Sequence, residues 1–169
     1  IALAMARGVE GFARTYSVNR PDILVLMGDR FDMHAAALAA LPLTIPMAHI
    51  HGGELTYGAY DESLRHSLTK LTHLHFPSTE EYARRIKQMG EEPWRVTVSG
   101  APGLDALNEV EPMDRAEIEA SFAITIPDEF LLVTFHPVTL EHEHTAEHVG
   151  NLLKALDSVG MHCIFTQSA

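Results

Sequence analysis

Residues 23–32 read ILVLMGDRFD: five apolar residues, a glycine, then three charges in four positions. A short continuous apolar run is what a strand buried on both faces of a parallel sheet requires. Gly28 lets the backbone turn sharply where that strand ends. Working outward, residues 1–17 carry apolar positions at helical spacing and stop before NRPD (19–22), a turn signal. MHAAALAALPL (33–43) reads as an alanine-rich helix and IPMAHI (45–50) as the next strand. DESLRHSLTKL (61–71) is expected to be a helix with acidic residues in its first turn, where the macrodipole favours them. THLHF (72–76) is a third strand. STEEYARRIKQMG (78–90) is a helix with Ser78 or Thr79 as N-cap and Gly90 just past its end. RVTVSG (95–100) is a fourth strand. This alternation implies right-handed βαβ units and a mainly parallel sheet, an α/β fold of Rossmann-like units.

The texture changes after residue 100. Residues 101–129 hold three prolines and many acids but no strong apolar strand, so they read as a connection with short helices. FLLVTF (130–135) opens a fresh strand, followed by a helix around 141–158 and the strand MHCIF (161–165). The expected division is a first Rossmann-like domain over 1–105, a connection over 106–122, and the start of a second over 123–169. The chain opens inside a helical pattern and has no initiator methionine, which suggests a fragment.

Composition narrows the function classes. The formal charge is −11, and the 12 Lys and Arg are scattered, which argues against nucleic-acid binding. No run of about 18 apolar residues is present, so no membrane span is expected. The apolar opening is a poor signal peptide, since Arg7 and Glu10 interrupt it. One cysteine, Cys163, excludes an internal disulfide and fits a reducing cytoplasm. The 11 histidines call for an account.

Ligands of open parallel sheets bind outside the C-terminal strand ends. Three such ends carry polar clusters: Gly28-Asp29-Arg30, His51-Gly52-Gly53-Glu54, and His136-Pro137. Asp29 reads either as a general base or as a cap of the next helix, and Arg30 as an anion contact or a partner of a surface acid. His49 and His51 alternate with Ile50 and would share one face of a strand. Asp61 and Glu62 read either as first-turn caps or as an acid–base pair over the cleft, with His66 one turn from Glu62. His73 and His75 suggest packing in or beside the sheet. His142, His144 and His148 suggest a solvated helical face. His136, fixed by Pro137, is aimed at the cleft or simply exposed. The Gly28-to-Asp32 spacing also occurs in binuclear metallophosphoesterases, but the Asp-x-His and Asn–His ligand motifs those enzymes need are absent from the sequence.

Taken together, PDILVLMGDRFD, IPMAHIHGGELTYGAYDESLRHSLTKLTHLHFPSTEEYARRI, VSGAPGLDAL and TFHPVT resemble the UDP-N-acetylglucosamine 2-epimerase family. The resemblance runs over nearly the whole chain and is greatest to the bacterial hydrolysing branch that feeds sialic or legionaminic acid synthesis. It implies the two-domain fold of B-type glycosyltransferases, with the nucleotide between two Rossmann-like domains. It implies anti elimination of UDP from the sugar and addition of water to the glycal, with no cofactor and no metal. The non-hydrolysing epimerase, a metallophosphoesterase and a non-catalytic sugar-nucleotide binder are the rival readings. Asp29, Asp61, Glu62 and His136 match family positions with catalytic or diphosphate roles. Arg30, Gly52, Gly53 and Arg65 form the expected substrate-binding set. Many relatives carry glutamate where His51 stands, so His51 and Glu54 are expected to share that proton transfer. The full-length protein is expected in the cytoplasm as a homo-oligomer, dimer or tetramer. The fragment alone is expected to be inactive.

Overall fold

Helix α1 (Ala2–Val18) and helix α2 (Phe31–Ala40) cross where neither carries bulk. A Cβ on Gly8 would stand 3.0 Å from the Cβ of Ala35, so glycine and alanine set how closely the two helices approach. The computed structural model describes residues 1–166. The chain divides into two compact units, Ile1–Ala106 and a second beginning at Leu107.

In the first unit, β1 (Leu24–Met27), β2 (Met47–Ile50) and β3 (Leu74–Phe76) form a parallel sheet in the order β1-β2-β3. Its register places Leu26 beside His49 and His49 beside His75. The core joins Tyr16, Leu26, Ala36, Ala40, Ile45, Met47 and Leu68. Helix α3 (Asp61–Leu71) occupies the span its sequence indicated. Helix α4 (Glu80–Gln88) is capped by Thr79, whose hydroxyl accepts from the Tyr82 amide, and Gly90 follows at φ +95°.

Two expectations need correction. β1 is buried on one face only: Leu26 is sealed, while Val25 and Met27, which point to the opposite face, are 57% and 51% exposed. Residues 95–100 do not form a fourth strand. They run beside β3 and make a single parallel bridge, His75 to Val96. Thr97 and Ser99 donate to the carbonyls of His75 and Pro77 at 2.9 and 3.1 Å. The bond that would complete the next bridge must come from the amide of residue 77, and proline has none.

Short helices α5 (Pro102–Glu109) and α6 (Arg115–Phe122) follow, the latter started by a capping box between Asp114 and Glu117. In the second unit, β4 (Phe130–Val133) and β5 (His162–Phe165) pair in parallel around the crossover helix α7 (Thr145–Val159). Among the described residues no helix is long and apolar enough to cross a membrane.

Candidate active site

The polar residues gather at the C-terminal rim of the first sheet. β1 ends in Gly28, at φ +76°, whose amide donates to the Ile50 carbonyl at 3.0 Å. Asp29 then turns back to form an ion pair with Arg65 of α3. Arg65 is 6% exposed and its other terminal nitrogen donates to Thr56 Oγ1 at 3.0 Å. Burial lowers the pKa of this guanidinium, but an arginine so far above neutrality stays charged. Asp29 is therefore held as a carboxylate's natural partner to a buried cation, and it does not cap α2, where Arg30 occupies the N-cap position. Arg30 is exposed and bonds Asp32 at 3.2 Å, which holds the Asp32 carboxyl below its ordinary range.

β2 ends at Ile50, and His51 leaves it in the left-handed conformation, φ +65°. A histidine bears this backbone more readily than most residues, at a cost of about 1 kcal/mol. The turn ends the alternation that would have put His49 and His51 on one face. His49 stays buried, while His51 swings to the rim, where its Nδ1–H donates to Glu54 Oε1 at 2.8 Å. The same carboxylate oxygen accepts from Ser78 Oγ at 3.0 Å. A carboxylate oxygen can only accept, so Nδ1 carries the proton of this bond and Nε2 is the ring nitrogen that Glu54 does not engage. Both side chains keep about a quarter of their surface open, at 24% and 28%.

Gly52 and Gly53 are glycines for a reason visible in the fold. A Cβ on Gly53, which lies at φ +81°, would stand 2.5 Å from the Tyr82 carbonyl oxygen of α4. One on Gly52 would stand 3.0 Å from His49 Nδ1. Arg85 of α4 closes the turn by donating to the Gly53 carbonyl.

Asp61 and Glu62 open α3 over this rim. Glu62 accepts from the Thr56 amide at 3.2 Å and lies 4.0 Å from His66 Nε2, while Asp61 makes no hydrogen bond among the described residues. His75 is buried in β3 and bonds Glu91 Oε2 at 3.2 Å, whereas His73 lies exposed just ahead of β3, where its Nδ1 accepts from the Met47 amide at 3.2 Å. His136 belongs to the second unit, exposed just beyond β4. Among the described residues no three His, Cys, Asp or Glu side chains converge on a point that could hold a metal.

The structure thus links Asp29 to Glu62 through Arg65 and Thr56, and His51 to Glu54, while Asp61 opens the same helix as Glu62 and Arg65 is buried rather than at the surface. Ser78, Arg85 and Thr56 escaped the sequence reading. Ser78 carried a signal, since it competes with Thr79 for the N-cap, and the loser is free to serve Glu54.

A parallel α/β unit with polar side chains and glycine turns clustered at its C-terminal strand ends, the edge at which such sheets take their ligands, is Rossmann-like. The chain belongs to the UDP-N-acetylglucosamine 2-epimerase family, whose sequence profile matches residues 1–168. It is 36% identical to the GDP/UDP-N,N'-diacetylbacillosamine 2-epimerase (hydrolyzing) of Campylobacter jejuni, over 98% of this chain and 43% of that protein. It is 37% identical to the UDP-N,N'-diacetylbacillosamine 2-epimerase (hydrolyzing) of Legionella pneumophila, over 83% of this chain and 37% of that protein. The chain thus spans about two fifths of the curated relatives it matches. Its fold matches the Neisseria meningitidis UDP-GlcNAc 2-epimerase solved with UDP-GlcNAc bound, with a TM-score of 0.79 and 22% identity. That match covers 97% of this chain and 48% of the solved one, and the shared fold is B-type glycosyltransferase-like.

Proposed function

We propose that this chain supplies the acid–base wall of a hydrolysing 2-epimerase acting on UDP-linked 2-acetamido sugars. One observation carries the reading: the Ser78–Glu54–His51 relay at the end of β2, beside the Asp29–Arg65 pair at the end of β1. Such a wall offers what elimination across C1 and C2 needs. A base takes the C2 proton, the C1–oxygen bond breaks with its electron pair leaving on the diphosphate, and a C1–C2 double bond remains. Water then adds its hydroxyl to C1 while a proton returns to the opposite face of C2. The products are UDP and a free 2-epimerised sugar such as N-acetylmannosamine.

In this reading His51 Nε2, oriented by Glu54, exchanges the proton on one side of the ring. Asp29, Asp61 and Glu62 supply the carboxylates around it, and the Asp29 charge is kept in place by Arg65. Two relatives named as hydrolysing favour water over UDP as the group that adds. UDP-N-acetylglucosamine and UDP-N,N'-diacetylbacillosamine are the substrates to test, and the product would feed synthesis of sialic-acid-type sugars. A cytoplasmic location and a homo-oligomeric state, dimer or tetramer, belong to the same proposal.

The test incubates the complete protein carrying this chain with each nucleotide sugar in deuterated water. Free 2-epimer deuterated at C2 supports the reading. A UDP-linked epimer replaces it with the non-hydrolysing reaction, and binding without deuterium uptake replaces it with a sugar-nucleotide binder. Loss of activity to a chelator, restored by Mn or Zn, would favour a metallophosphoesterase.

A further inference from the structure

His49 is among the most enclosed side chains in the first unit, with no exposed surface, yet its hydrogen bond reaches the rim. Its Nε2–H donates to the Gly28 carbonyl at 2.8 Å. A carbonyl can only accept, so the proton sits on Nε2 and the buried Nδ1, which has no partner among the described residues, carries the lone pair. Gly28 is therefore held at both of its peptide groups: its amide by the Ile50 carbonyl and its carbonyl by His49. The second of these groups is the peptide that joins Gly28 to Asp29, and its orientation sets the direction in which the Asp29 side chain leaves the backbone.

On its other side the same ring faces the second turn of the rim. A Cβ on Gly52 would stand 3.0 Å from His49 Nδ1, so the imidazole lies between the turn that carries Asp29 and the turn that carries His51 and Glu54. Its neighbour across the sheet is His75, which bonds Glu91, and His51 and Glu54 are the titratable groups that face it from the rim. Glycine at 52 and histidine at 49 fit each other.

We infer that His49 is a positioning residue, a wedge that fixes the Asp29 turn through the Gly28 carbonyl and spaces it from the His51–Glu54 turn. It does not itself exchange a proton with substrate. Burial pushes its imidazole down to about 4, so it is neutral at neutral pH. The inference rests on the epimerase reading for its catalytic readout, while the geometry it asserts can be measured without turnover.

Three variants of the complete protein test it: His49→Leu, which removes the donor, His49→Gln, whose terminal amide nitrogen can restore it, and Gly52→Ala, which pushes the ring away from Gly28. Misplacing a reacting group by a fraction of an ångström to an ångström costs on the order of tenfold to a hundredfold in rate. His49→Leu and Gly52→Ala are expected to lower kcat by that factor with KM changed less than about threefold, and His49→Gln to recover most of it. The pH profile of His49→Gln should match that of the parent. Hydrogen exchange of the peptide spanning Gly28 to Arg30 should accelerate in His49→Leu and Gly52→Ala but not in His49→Gln. A His49→Leu protein that keeps its kcat and its slow exchange overturns the inference, as does a Gln variant as impaired as the Leu variant. Loss of one limb of the pH profile in His49→Gln would make the residue a proton carrier and also overturn it. If His49→Leu does not fold, Gly52→Ala decides alone by the same two measurements. If the parent turns over neither nucleotide sugar, the epimerase reading fails, and the exchange pattern still upholds or overturns the wedge.

Discussion

Replacing Gly53 by alanine is the sharpest single perturbation of this site. At φ +81° a residue with a side chain loses about 1 kcal/mol to the left-handed backbone. The added Cβ would stand 2.5 Å from the Tyr82 carbonyl oxygen and 3.0 Å from Ile86, and the first of these is helix backbone that cannot swing aside. Overpacking against a rigid neighbour adds about 2 kcal/mol. Gly53→Ala should therefore destabilise the protein by about 3 kcal/mol, a fall in melting midpoint of roughly 10 °C. Urea unfolding, with an unchanged denaturant slope, would give the same figure independently. Gly11→Ala in α1 is the control: nothing lies within 4 Å of its Cβ, and replacing a helical glycine should stabilise by about 0.5 kcal/mol. Gly53→Asn separates the two contributions, since asparagine tolerates positive φ but still carries the Cβ. If Gly53→Ala melts within about 2 °C of the parent, the close approach of α4 to this turn is not what requires glycine.

Other outcomes follow from the same geometry. Asp29→Asn leaves Arg65 charged and without its carboxylate, and should cost about 3 kcal/mol of stability, read by thermal melting, as well as abolishing C2 exchange. His51→Ala and Glu54→Gln should each lower kcat on the order of a hundredfold, and the double variant should be little worse than either, because the two act as one unit. Stability should fall with acid in a defined window. The folded His49 ring, at about 4, lies below its unfolded value near 6.5, so the unfolded chain takes up the proton first as pH drops. The stabilisation is complete above about pH 6.5 and about 3 kcal/mol of it disappears by pH 4, whereas His49→Gln should flatten that slope in melts taken across the range.

The alternation of strands and helices was legible because local rules agree with one another here. Thr79 and Gly90 mark the ends of α4 by their own chemistry, and α3 starts where its first acid stands. Residues 95–100 misled because RVTVSG has the composition of a strand, while the feature that stops the ladder, Pro77, sits in a different segment. The exposed face of β1 was hidden for a similar reason: apolar residues specify that a strand can be buried, not what lies over it. At the site, the candidate carboxylates and His51 could be named from their place after apolar runs. Their partners could not. Arg65 reaches Asp29 across 36 residues, and Ser78 reaches Glu54 across 24, so neither pairing has any local signature. The opposite fates of His49 and His51 turn on one backbone torsion at +65°, which no period-two reading contains.

Helix α4 touches the glycine turn at several points: Ser78 just ahead of it bonds Glu54, Arg85 bonds the Gly53 carbonyl, and Tyr82 and Ile86 fill the space where a Cβ would be. No slack segment lies between this helix and the His51 imidazole. Displacement of α4 is thus transmitted almost undamped to the His51–Glu54 pair, as a rigid lever transmits motion to its load. Tolerance to change along the outer face of α4, at Glu80, Arg84 and Lys87, should end abruptly at Tyr82, Arg85 and Ile86, and at Ser78 just ahead of them, where the same segment backs the glycine turn.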